Sequence, residues 1–105
     1  MKFTPSIRAE YLSFINYSEI SGGWSLSFKY DKEGLRDLFP KKDISDKTYV
    51  SDIYISVDFN LDTQTVDDYA SVTAETANAD IEYEFALSDM EKLYVKEELI
   101  ARGMI

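Results

Sequence analysis

Asp58, Asn60 and Asp62 alternate within V-D-F-N-L-D-T-Q-T-V-D-D-Y, residues 57–69. Oxygen ligands at that spacing open a calcium loop, which also needs Gly at its sixth place and a bidentate Glu at its twelfth. Here the sixth place is Thr63 and the twelfth is Tyr69. Neither can do the job, and both flanks alternate like strands instead of helices. The stretch is therefore expected to be a β-hairpin with a solvated acidic face. A loose, low-affinity cation site on Asp58, Asp62, Asp67 and Asp68 is the weaker form of the calcium reading. No cofactor and no dedicated metal site are expected.

Other chemistry is sparse. The chain has no Cys and no His. That removes disulfides, thiolate metal sites, the commonest general base and every Ser-His or Cys-His nucleophile. Eleven Ser residues are present, none with an obvious activating base. The Gly22-Gly23 pair lacks the Lys-Ser/Thr of a phosphate loop. Paired carboxylates can hydrolyse glycosides, but a chain of this size is not expected to build the substrate cleft. Glu97 falls within the apolar stripe of a helix, where burial without a partner would raise its pKa; it is expected at the stripe's exposed edge or paired with a Lys or Arg from elsewhere. No catalytic residue is assigned, and the chain is not expected to be an enzyme.

Charge is the most informative feature. Between Asp43 and Glu91 lie thirteen acids and one base, Lys47, a charge of −12. The remaining ten bases and seven acids give +3, and the two together make the net −9. Phosphate neutralisation needs Lys and Arg, so direct nucleic-acid binding is not expected, and an anionic membrane surface is an equally poor partner. No apolar run approaches the ~20 residues of a membrane span, and the N-terminus lacks a signal peptide's apolar core. A cytoplasmic location is the default expectation.

Strands must position these acids. Trp24, Leu26, Phe28 and Tyr30 alternate with Ser25, Ser27, Lys29 and Asp31. Ile53, Ile55, Val57 and Phe59 alternate with Asp52, Tyr54, Ser56, Asp58 and Asn60. Period two of this kind predicts strands with one buried face. T-V-D-D-Y-A-S-V-T-A-E and I-E-Y-E-F follow as two more strands, separated by a turn over 76–80. Residues 4–17 fit either of two readings. Thr4 can cap a helix with Pro5 first and Ile7, Tyr11, Phe14 and Ile15 on one face, or 11–20 can be a strand turning at Ser21-Gly22-Gly23. Ser88 and Glu91 form a capping box opening a C-terminal helix that stops near Gly103. On its wheel Met90, Leu93, Tyr94, Ile100, Ala101 and Met104 make the expected core stripe, with Val95 and Leu99 on the far side.

The fold class expected is α+β. One domain, 1–105, carries an antiparallel sheet of four to five strands, with the C-terminal helix packed on one face, joined there by an N-terminal helix if 4–17 is helical. The function expected is a non-enzymatic binding module. Asp52, Tyr54, Asp58, Asp62, Asp67, Asp68, Glu82 and Glu84 would cover a basic surface of another protein, such as one that handles nucleic acid. Small acidic inhibitors of phages and mobile elements, and immunity proteins, are similar in type, with no shared motif. The alternatives are an assembly subunit that self-associates through Val95 and Leu99 or a sheet edge, and a weak cation-binding module.

Overall fold

The computed structural model describes residues 2–105. Five strands run in order as an antiparallel meander, β1 (Leu12–Ile20), β2 (Gly23–Tyr30), β3 (Val50–Asn60), β4 (Thr65–Thr76) and β5 (Asp80–Ala86). Short 3-10 turns cover Ala9–Tyr11 and Lys32–Gly34, the latter leading into α1 (Leu35–Leu38); α2 (Asp89–Ala101) closes the chain. The α+β class, the sheet and the C-terminal helix are as the alternation and the capping box predict.

The turns explain the meander. Gly22 adopts φ +79, a region that costs glycine nothing. Gly23 leaves no room for a side chain, since a Cβ would stand 1.9 Å from the Phe59 carbonyl oxygen. The Asn60 carboxamide accepts hydrogen bonds from the Asp62 and Thr63 amides at 2.8 and 3.0 Å, an Asx turn that makes 57–69 the expected hairpin.

Every strand turns one face to the core. Leu26, Phe28, Tyr30, Ile53, Ile55, Val57, Phe59, Val72 and Ala74 are all buried there. Leu38 at the end of α1 and Phe39 and Ile44 in the loop that follows add to this core. Arg36 stitches that loop, donating to the Phe39 and Ile44 carbonyls at 3.1 and 2.6 Å and pairing with Asp46 at 2.7 Å. Tyr30 lies beneath it, its hydroxyl donating to Asp37 at 2.8 Å and accepting from the Arg8 amide at 2.9 Å. Burial therefore pushes its phenol well above the usual value.

Of the two readings of residues 4–17 the structure takes the strand, whereas the expected core stripe of the C-terminal helix fails. Residues 4–17 form no N-terminal helix: Thr4 to Arg8 run without regular structure, and the chain enters β1 at Leu12. Strand pairing wins because β1 gains a full antiparallel ladder on β2, from Leu12 opposite Tyr30 to Ile20 opposite Gly23. The register shifts between Phe14 and Asn16, which throws Ile15 outward as a bulge.

The expectation that fails is the rotation of α2. Val95 and Leu99 are buried at 1% and 0% exposure, whereas Met90, Leu93 and Ile100 are exposed at 57%, 43% and 58%. The helix is turned about half a revolution from the expected stripe. Ser88 caps it and fixes Glu91 in place, and the second Glu91 oxygen accepts the Ile7 amide at 2.7 Å beneath the helix. Glu91, Val95 and Leu99 then follow one another at i, i+4 and i+8 on the inner face. Leu87, also buried, is tied to the Asp68 carbonyl at 2.8 Å and sets the entry. A Schellman motif ends the helix, the Met104 amide bonding Leu99 and the Gly103 amide bonding Ile100. Self-association through Val95 and Leu99 is thereby excluded.

Candidate functional site: the open sheet face

The helix and the loops cover one face of the sheet. The other face is polar and carries the acids, and register makes its layout explicit. One row across the strands reads Ser13, Lys29, Tyr54, Thr73, Glu82. The next reads Asn16, Ser27, Ser56, Ser71, Glu84. A third sets Ser18, Ser25 and Asp58 side by side. At the other end Asp52, Glu75 and Asp80 are consecutive neighbours on β3, β4 and β5. Apart from Lys29, the β1–β2 half is thus short hydroxyl and amide side chains, and the β3–β5 half is carboxylates around Tyr54 and a floor of Ser and Thr.

Neighbouring strands lie ~4.8 Å apart, so the carboxylates of Asp52, Glu75 and Asp80 stand within repelling distance. Two contacts relieve the acids of this face. Lys29 reaches Asp52 at 2.9 Å, and the bond to that carboxylate raises the lysine pKa. Thr73 donates to Glu82 at 3.4 Å. Among the described residues no basic side chain is paired with Asp58, Glu75, Asp80, Glu82 or Glu84.

Five of the eight residues singled out in the sequence, Asp52, Tyr54, Asp58, Glu82 and Glu84, come together on this face. Asp62 lies beyond it, in the β3–β4 turn beside Gly22. Asp67 and Asp68 sit in an irregularity of β4. Phe59 pairs with Val66 and Val57 with Ala70, so β4 spends extra residues there and its alternation breaks. Asp68 is turned toward α2 and pairs with Lys92 at 2.5 Å. Strict alternation beyond a strand's midpoint misplaces such residues, because a bulge leaves no composition signature here. Glu75 and Asp80 were not singled out, although the spacing Ser71, Thr73, Glu75 carries the signal. Glu97, expected at the exposed edge of a buried stripe, is exposed because that whole side of α2 faces outward.

The calcium-like stretch borders an open concavity of about 340 Å³ formed by Ile20, Gly22, Asp58, Asn60 and Asp67, with others. No three acidic side chains among the described residues converge closely enough to hold a metal ion. No helix among them is long and apolar enough to cross a membrane. Tyr83 donates its hydroxyl to the Leu38 carbonyl, and burial pushes its pKa up to about 12. Comparison with known protein families, with curated proteins and with solved structures returned no match.

Proposed function

We propose that this chain is a non-catalytic binding module whose open sheet face meets a basic surface of another protein. The observation that carries the reading is the cross-strand row Asp52, Glu75, Asp80, continued along β5 by Glu82 and Glu84 and with Asp58 at the far end of β3, a face on which Lys29 is the sole base among the described residues. Folding gains nothing from crowding like charges on one face, since self-repulsion destabilises the compact state. A positive partner turns the same field into an advantage, steering encounter and rejecting acidic competitors. The flat floor of Ser27, Ser56, Ser71 and Thr73 lets a partner's backbone or guanidinium groups approach closely. Tyr54 among the carboxylates supplies the aromatic anchor that binding hot spots favour. Surfaces that ordinarily hold nucleic acid have the complementary charge.

The test compares the wild type with a triple variant, Asp58→Lys, Glu75→Lys and Glu82→Lys, in affinity capture from lysate at low and high salt. A basic protein held by the wild type at low salt, released at high salt and not held by the variant supports the reading. The same proteins captured by both chains overturn it.

A further inference from the structure

We propose that two copies of this chain join through their β1 strands, antiparallel, into one continuous ten-stranded sheet. β1 has a single neighbour, β2, and its outer side carries a row of unpaired backbone groups. The structure satisfies one of them with a side chain, the Phe14 amide, which donates to Glu98 at 3.3 Å. Beyond the Ile15 bulge, residues 16–20 are all exposed. Three large apolar side chains stand on this edge strand, Ile15, Tyr17 and Ile20, at 45%, 48% and 42% exposure. An apolar strand with free hydrogen-bonding groups is a template for another strand.

Charge selects the occupant. The opposite edge, β5, carries Asp80, Glu82 and Glu84 at alternate positions. Two β5 edges would set these acids against one another, the usual protection of an edge. β1 carries one charge, Glu19. A dyad at Ser18 sets Tyr17 against Glu19 and Asn16 against Ile20 of the other copy, so the two Glu19 side chains never face each other. The acid-rich strands are β3 to β5, and two copies meeting on β1 keep their β3 strands five spacings apart, ~24 Å. That exceeds the Debye length of about 8 Å at physiological salt. A chain of net charge −9 can therefore meet its own copy at β1 with least repulsion. The contact is also isologous by construction, and it closes at two. A short pairing stretch makes it a weak, micromolar dimer.

Sedimentation equilibrium from low micromolar to millimolar concentration tests this. The mass is expected to rise from 12.1 kDa toward twice that value. Amides of residues 16–20 should exchange more slowly as concentration rises. The double variant Tyr17→Lys/Ile20→Lys should stay monomeric with its melting transition retained, while Met90→Lys/Ile100→Lys on α2 still dimerises. A wild type that is monomeric throughout overturns the proposal and leaves the edge to a foreign strand. A dimer that survives the β1 variant, or is lost in the α2 variant alone, overturns it in favour of contact through α2.

Discussion

The two faces of one sheet follow opposite rules. On the core face Phe28, Ile55 and Val72 are in register neighbours, each at 1% exposure or less, and each position is specified by volume. On the open face the adjacent row, Ser27, Ser56 and Ser71, packs against nothing and is specified only by being short and polar. The same β3 residues alternate between the two regimes. Changes on the covered side should therefore cost stability and leave recognition alone, and changes on the open side should do the reverse.

The largest expected effect separates the two stripes of α2. Leu99→Ala removes a fully buried side chain and should cost about 2–5 kcal/mol in urea denaturation. Ile100→Ala, one residue on, should change stability by no more than about 0.5 kcal/mol. Equal losses would mean that the helix sits rotated toward the Met90 stripe.

That pair of residues also marks the limit of what the sequence shows. Strands β2 and β3 are legible because each keeps period two for eight residues or more, and only one phase buries the aliphatic set. The acidic half of the open face follows directly, since Asp52 and Asp58 must oppose Ile53 and Val57. The α2 stripe is not legible. More apolar residues lie on the outer side than on the inner, and orientation is decided by a tertiary bond from Ile7 to Glu91, 84 residues apart. Residues 4–17 are ambiguous for a similar reason, since the ladder that makes β1 a strand belongs to β2. The turn of Asp68 toward Lys92 depends on a bulge that no local pattern announces.

Glu91 gives the next effect. It is 5% exposed, and its two oxygens accept from Ser88 and Ile7. Glu91→Ala ends the capping box and orphans a buried amide, so a loss of about 2–3 kcal/mol is expected. Glu91→Gln keeps one acceptor oxygen and should lose less. If the two variants melt together, the carboxylate does not tie the N-terminal segment to α2.

Alkali should weaken the covered side before it affects the open one. The Tyr83 phenol is raised from 10 to about 12 in the fold, so the folded state holds a proton that the unfolded chain releases. Its contribution is complete below pH 10 and is lost as pH rises toward about 12; Tyr30 acts in the same direction. Urea midpoints followed from pH 8 upward should fall through that window, and Tyr83→Phe should flatten part of the fall. An unchanged slope in the variant would assign the alkaline loss to Tyr30 and the lysines.

The smallest effects belong to the open face, and their sign is what matters. Glu75 lies between Asp52 and Asp80, and only Asp52 has a lysine partner. Glu75→Lys places a cation between two carboxylates and should leave stability unchanged or raise it by up to about 0.5 kcal/mol. Added salt should stabilise the wild type more than this variant, because screening relieves a repulsion that the substitution has already removed. A destabilised Glu75→Lys would show that the row is held by contacts of its own, making the acids part of the fold. A stabilised one would show a face kept acidic against the interest of the fold, which is the condition a binding surface for a basic partner requires.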